Sequence, residues 1–232
     1  LPFCFCTKTY FKDYELYKQD NLENICLNGF DVIFFRPDPP VDINYINATY
    51  ILSMVKSEKT LILNSPDAIR NKNEKLYIND FPSIAPKNIV TSDVNLIREF
   101  LKENNEIIIK PLNRCFSSGV FYLYHGDKNT NTIINTTTEN GKTTVMVQEF
   151  LSGIKKGDKR LIYICGEILE YCVQKVATND DFKFNEHCDK NLKFGAITKE
   201  EKNIENIISK KLEQDGVIMA GLDTIDSKII EI

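Results

Sequence analysis

Two short apolar runs, residues 31–35 (DVIFF) and 60–63 (TLIL), have the length and composition of buried strands. Between them, residues 43–56 (INYINATYILSMVK) predict a helix, with Asp42 placed to cap its start. Strand, helix and strand at this spacing predict a parallel crossover. Residues 93–103 (DVNLIREFLKE) predict a second helix, with Val94, Ile97 and Leu101 on one face and Ser92 as its expected cap.

A series of strand-like segments follows: 106–110 (EIIIK), 119–124 (GVFYLY), 144–149 (TVMVQE), 160–165 (RLIYIC) and 167–175 (EILEYCVQK). Asn140-Gly141 and Cys165-Gly166 read as hairpin turns. Residues 199–214 predict a third helix, in which Thr198 and Glu201 form a capping box and Ile204, Ile207, Ile208 and Leu212 form the apolar stripe. Strands at 217–222 and 228–232 follow, around a turn at Asp226-Ser227. The pattern is an α/β beginning and a β-rich second half.

Composition narrows the function classes. At 232 residues, 42% hydrophobic and 27% charged, the chain has the makeup of a globular protein with a substantial core. A net charge of −4 gives no basic face for nucleic acid, and no apolar run approaches a membrane span. The seven cysteines are odd in number and include no C-x-x-C pair, which favours reduced thiols and a cytoplasmic setting over a disulfide framework or zinc ribbon.

Several motifs fail on inspection. Gly141-Lys142-Thr143 resembles the end of a phosphate loop, but position 136 is Thr where that loop needs glycine. No G-x-S-x-G occurs, and His125 and His187 stand alone. The 221–232 stretch (GLDTIDSKIIEI) is more informative. A turn at Asp226-Ser227 sets Asp223 opposite Glu231, and opposed carboxylates repel unless a cation lies between them. A hard divalent ion would suit the pair; two solvated surface acids are the alternative. Lys75, Lys110 and Arg160 are candidate phosphate partners, although a lysine at a strand end is usually just solvated.

Five segments, DVIFFRPDPPVDINYINATYIL (31–52), NSPDAIRNKNEKLY (64–77), IIIKPL (107–112), IKKGDKRLIYICGE (154–167) and GLDTIDSKIIEI (221–232), resemble the bacterial-type glutathione synthetases of the ATP-grasp superfamily, in order and spacing, from about residue 31 onward. The resemblance implies an α/β fold with an incomplete N-terminal α/β substrate domain (1–72). An ATP-grasp unit (73–232) of two β-rich α+β subdomains follows, a lid at about 80–148 and a C-terminal part at about 149–232. It implies ATP-dependent joining of γ-glutamylcysteine and glycine through an acyl phosphate, in the cytoplasm, with ATP and Mg²⁺ (or Mn²⁺) and with homo-oligomers common in the family. A nucleotide-binding module without ligase chemistry and a ligase of other substrates are the alternatives.

Residue by residue, the resemblance implies phosphate contacts by Lys75 and Lys110, a nucleotide-base strand at Gln148, Glu149, Phe150 and Leu151, and nucleotide or orienting contacts by Asp158. Arg160 would act on the transferring group, and Lys110 with it. Asp223 and Glu231 match metal ligands; Arg36 and Asp38 match the dipeptide site; Lys175, Lys183 and Asn185 match polar positions near phosphates and substrate. The family's glycine-rich phosphate loop reads Asn113-Arg114-Cys115-Phe116-Ser117-Ser118-Gly119 here, with Arg114 as a substitute charge, and its second glycine-rich stretch reads Glu186-His187-Cys188-Asp189-Lys190. Residues 1–30 match poorly, the first residue is Leu1, and the family pattern continues past Glu231-Ile232 into an Asn, so a chain shortened at both ends is expected.

Overall fold

The computed structural model describes residues 2–37, 40–56, 58–115, 117–176 and 192–232. Its first element is a ribbon of β1 (Phe3–Lys12) and β2 (Glu15–Cys26), paired antiparallel around a tip at Asp13 and Tyr14, both left-handed. The predicted crossover follows, with β3 (Val32–Phe34) and β4 (Leu61–Leu63) parallel and joined through α1 (Ile43–Ser53). Asp42 caps α1, accepting from the Tyr45 N–H at 2.9 Å. The short α2 (Pro66–Asn71) leads away from the crossover.

A four-stranded antiparallel sheet comes next, in the order β5 (Asn88–Thr91), β8 (Val145–Glu149), β6 (Glu106–Pro111), β7 (Phe121–Tyr124). Ile107, Ile109, Val145 and Val147 on one face pack with Ile97, Phe100 and Leu101 of α3 (Val94–Asn104) and Ile134 of α4 (Thr130–Thr137). Asp93, not Ser92, caps α3, because its carboxylate reaches the N–H groups of Asn95 (2.7 Å) and Leu96 (3.4 Å). Asn140-Gly141 is a turn, but it joins α4 to β8 rather than two strands. The Thr138 hydroxyl anchors it by accepting from the Gly141 N–H.

The second large sheet runs β12 (Leu192–Ala196), β11 (Tyr171–Lys175), β9 (Asp158–Ile164), β13 (Met219–Ile225), β14 (Lys228–Glu231), with β10 (Glu167–Ile168) added to β9 across the Cys165-Gly166 turn. The expected 167–175 strand is thus two, β10 and β11. Leu161, Tyr163 and Leu222 face α5 (Lys199–Gln214) and bury Ile204, Ile208 and Leu212. The α5 capping box forms as predicted: the Thr198 hydroxyl accepts from the Glu201 N–H, and the Glu201 carboxylate from the Thr198 N–H.

The end of α5 ties this sheet to the N-terminal region. Ser65 N–H donates to Gly216 O at 2.9 Å, and the Asn64 amide bridges Ile218 and Met219. Asp215 accepts from the Tyr77 hydroxyl (2.8 Å), pairs with Lys72 (2.9 Å) and is chelated by Lys211. Burial opposes the Asp215 charge, but hydrogen bonds from Lys211, Lys72 and Tyr77 outweigh it and hold the carboxyl well below its ordinary range. A carboxyl depressed by folding stabilises the folded state at pH values above its unfolded value, and that stability is lost as the pH falls through the folded one. Asp215→Asn should therefore cost about 2 kcal/mol at neutral pH. In pH-dependent thermal melts the gap to wild type should close below the ordinary aspartate value of 3.8. A gap that persists there would mean the carboxylate charge is not what binds α5 to Lys72 and Tyr77.

Candidate active site between the two sheets

Alternation along β9 divides its side chains. Lys159, Leu161 and Tyr163 point to α5, where Lys159 pairs with Glu201 at 2.9 Å, while Asp158 and Arg160 share the opposite face. The register extends that face across three neighbours: Lys175 of β11 lies opposite Asp158, and Asp223 of β13 lies opposite Arg160 and also opposite Glu231 of β14. Five of the sequence-predicted residues therefore meet on one sheet surface.

The Asp223–Glu231 opposition holds, but not through the turn alone. Asp226 and Ser227 are both left-handed, and Ile225 pairs with Lys228 and Thr224 with Ile229. A regular ladder would next set Asp223 against Ile230. A bulge at Ile230 inserts one residue and brings Glu231 opposite instead.

Cations neutralise the two acids. Arg160 grips Asp223 with two parallel hydrogen bonds, one from Nε and one from Nη2 at 2.5 Å. Gly221 makes this possible: a Cβ there would meet Arg160 Cδ and Nη1 at 2.8 Å. Lys110, 5% exposed at the end of β6, reaches Glu231 at 3.5 Å. Burial lowers the Lys110 pKa, and Lys75 adds to the effect, while Glu231 opposes it. Lys75, 2% exposed, donates to the Glu74 carboxylate and to the Arg114 carbonyl at 2.8 Å. Arg114 thus contributes through its backbone carbonyl, which ties it to Lys75. The loop's glycine, Gly119, is left-handed (φ 73°), and a Cβ there would meet Pro111 Cγ at 2.9 Å.

Asp158 is the anomalous acid. Lys175 stands 4.0 Å from one carboxylate oxygen, and the other, Oδ1, is buried with no hydrogen-bond partner. Burial pushes its pKa up to about 6, against the pull of Lys175 and with a smaller push from Asp223. Gly157 shapes the approach, since a Cβ would lie 2.0 Å from the Lys175 carbonyl oxygen.

The first sheet supplies the other wall. Lys110 and Met146 are paired, as are Ile108 and Gln148, so Lys110 and Gln148 share a face; Met146 packs into the core of the second sheet. Gln148 is buried with its Nε2 unpartnered. The Glu149 carboxylate is committed: it accepts from the Lys87 N–H at 3.0 Å and from Lys228 of β14 at 2.6 Å, forming a clasp between the sheets. Phe150 packs on Tyr122 with ring centroids 4.7 Å apart, and Leu151 begins the connection to β9. Arg36 is exposed at the end of β3, close enough for its charge to act on Tyr45, which also feels Glu74. Asp38, Lys183 and Asn185 lie outside the described residues. The sequence did not single out Gly221, Glu74, Lys228 or the bulge at Ile230. Gly221 and the bulge at Ile230 act by cross-strand position, and Lys228 by a contact between sheets, which a single sequence does not display; Glu74 pairs with its sequence neighbour Lys75.

Among the described residues no group of three or more His, Cys, Asp or Glu side chains could hold a metal ion. Asp223 and Glu231 supply two carboxylates, one beside the partly exposed Arg160 and one beside the buried Lys110. That donor set fits a hard divalent ion that takes its remaining ligands from phosphate oxygens and water.

Comparison with known proteins agrees with this geometry. The profile of the prokaryotic glutathione synthetase N-terminal domain matches residues 4–70, and that of the prokaryotic glutathione synthetase ATP-grasp domain matches residues 74–232. The match thus begins well before residue 31 and takes in most of the β1–β2 ribbon. Glutathione synthetase of Thermosynechococcus vestitus is 37% identical over 89% of this chain and 64% of its own length. That of Nitrosomonas europaea is 35% identical over 95% and 69%. The chain thus spans about two thirds of the length of these relatives. Among solved structures, D-cycloserine synthetase DcsG superposes with a TM-score of 0.68 at 14% identity, over 90% of this chain and 76% of its own. D-alanyl-alanine synthetase A from Vibrio cholerae superposes at 0.61 and 11% identity, over 97% and 71%. At these identities the likeness is one of fold.

Gly221→Ala should push Arg160 off Asp223 and cost about 1–2 kcal/mol. In an Arg160→Ala background, which has neither the Cδ nor the guanidinium that lies over the glycine, most of that penalty should vanish in denaturant titrations. Equal penalties in both backgrounds would show that the glycine accommodates something other than Arg160.

Proposed function

The chain belongs to the prokaryotic glutathione synthetase family, and we propose that it serves the ATP-dependent ligation of γ-glutamylcysteine and glycine to glutathione. The observation that carries this reading is the meeting of Lys75, Lys110 and Arg160 with Asp223 and Glu231 in one cleft between two sheets. Two buried lysines and a partly exposed arginine facing paired carboxylates suit a nucleotide triphosphate and its metal ion better than a neutral ligand.

In this reading residues 1–72 are the substrate domain and 73–232 the ATP-grasp unit. The four-stranded sheet belongs to a lid at 80–148, and the six-stranded sheet to a base at 149–232. Lys75 and Lys110 hold the β- and γ-phosphates, where fixed charge in a dry cleft stabilises the negative charge that develops on transfer. The cysteinyl carboxylate of the dipeptide attacks the γ-phosphorus, ADP leaves, and an acyl phosphate forms. The glycine amine then attacks the acyl carbon, loses a proton and expels phosphate. Arg160 leaves Asp223 to meet the transferring group. Asp158, with an unpartnered buried oxygen, and Gln148, with an unpartnered buried amide, line the nucleotide site; Phe150 and Leu151 complete the base pocket. Arg36 and Asp38 line the dipeptide site, and Lys175, Lys183 and Asn185 add polar contacts. Asp223 and Glu231 hold Mg²⁺, or Mn²⁺, which when bound neutralises phosphate charge. The described cysteines are free thiols, in keeping with a cytoplasmic enzyme.

ADP release should require Mg-ATP, γ-glutamylcysteine and glycine together. Lys110→Met should lower that rate by about 100-fold or more. Nucleotide bound without ADP release would overturn the ligase reading. A dipeptide and amine pair that reacts faster than γ-glutamylcysteine with glycine would overturn the substrate assignment.

A further inference from the structure

We propose that Cys4 and Cys6 form a dithiol couple that small disulfides oxidise and small thiols restore. The ladder of β1 on β2 runs unbroken from Phe3, opposite Cys26, to Thr7, opposite Leu22. Strand alternation therefore sets Cys4 and Cys6 side by side on one face, with Ile25 and Glu23 opposite them. Cys26 falls on the other face, and the pair of Lys8 and Glu23, 3.0 Å apart, closes the patch on the side nearer the tip. Both thiols are half-buried, so a small reagent reaches them. Their sulfurs lie within hydrogen-bond reach of each other. Burial raises the Cys4 pKa, and Cys6 raises it further as a neighbouring charge and as a hydrogen-bond partner.

Two adjacent thiols complete a redox cycle without a third group. The thiolate of one attacks a sulfur of the incoming disulfide and expels one small thiolate. The thiolate of the other attacks the mixed disulfide and expels the second. A bond then joins Cys4 and Cys6; the protein has given up two electrons and two protons, and the reagent leaves as two thiols.

Strand geometry sets how firmly that bond holds. Two residues of extended strand span about 6.7 Å. Bridged cysteines most often have Cα atoms about 5.5–6 Å apart, with about 6.8 Å the outer limit. Closing the bond pulls β1 in between Cys4 and Cys6, against the ladder to Ile25 and Glu23. The strain favours the dithiol, and so short a loop gives the bond little entropic stabilisation. Such a bond forms when small disulfide accumulates and opens when thiol returns, as responsive bridges do and structural ones do not. The couple lies on a different element from the cleft residues, so its chemistry does not rest on the ligase reading. Under that reading the reagent is the disulfide of the enzyme's own product.

The test equilibrates the chain in mixtures of reduced and oxidised glutathione, alkylates it, digests it at lysine and weighs the peptides. The peptide that ends at Lys8 holds Cys4 and Cys6 and no other cysteine. In reducing mixtures it should carry an alkyl group on each cysteine. In oxidising ones it should lose both together and weigh two hydrogen atoms less than the free dithiol. Cys4→Ser and Cys6→Ser should each bear one glutathione instead. Phe5→Gly should move the midpoint about tenfold toward the reducing side, because a glycine between the cysteines lets the strand close the ring. Phe5 is 75% exposed, so its loss removes no core packing. A wild-type peptide alkylated on both cysteines in every mixture would overturn the proposal, as would one that binds glutathione at each cysteine with no bond between them. A bond already present in the most reducing mixture, or a midpoint that Phe5→Gly leaves in place, would overturn the strained, responsive couple.

Discussion

Two almost wholly buried lysines, Lys75 and Lys110, set the terms for what surrounds them. A buried ammonium is tolerated only with partners close at hand. Lys75 takes the Glu74 carboxylate and the Arg114 carbonyl; Lys110 takes Glu231. Those partners come from a turn, a loop and a late strand, so satisfying two charges fixes how three distant segments meet. The same requirement explains why two carboxylates can stand opposed on β13 and β14. Each has a cation on it already, and a ligand carrying phosphate and metal would exchange these partners rather than uncover them.

The second organising feature is the division of labour along β9. Its alternate residues build the core under α5, and the intervening ones build the cleft, so the site rests on a strand that the core holds rigid. Two glycines extend this. Gly221 lets a guanidinium lie across β13, and Gly157 lets the start of β9 approach β11. Both are places where a missing side chain positions a charged one.

Much of this was legible in the sequence, for reasons that differ by element. Asp42 and the Thr198–Glu201 box mark helix starts because capping is a local matter of side chain and backbone. The parallel crossover follows from run length and spacing. By contrast, α4 escaped notice. Its sequence, TNTIINTT, is rich in threonine and asparagine, residues of poor helix propensity, and packing of Ile134 under the four-stranded sheet overrides that preference. Asn140-Gly141 has hairpin chemistry and serves a helix-to-strand turn. At the site, the opposition of Asp223 and Glu231 was visible from their spacing, although the bulge that produces it was not. The meeting of Lys75, Lys110 and Glu231 joins segments far apart in the chain, and only family resemblance anticipated it.

The clasp between Glu149 and Lys228 bears on the order in which the chain acquires its shape. Lys228 sits on the strand that also carries Glu231, and the backbone of that region donates to Ile84 and Glu74. Asn64 likewise reaches Met219, a separation of 155 residues. During vectorial synthesis the first sheet and its helices can collapse early, but Lys110 then has no acid from β14 to face. Long-range closure of this kind makes for slow folding. The half-made chain must wait with the Lys110 ammonium still in water, and its withdrawal into the interior becomes a late step of folding.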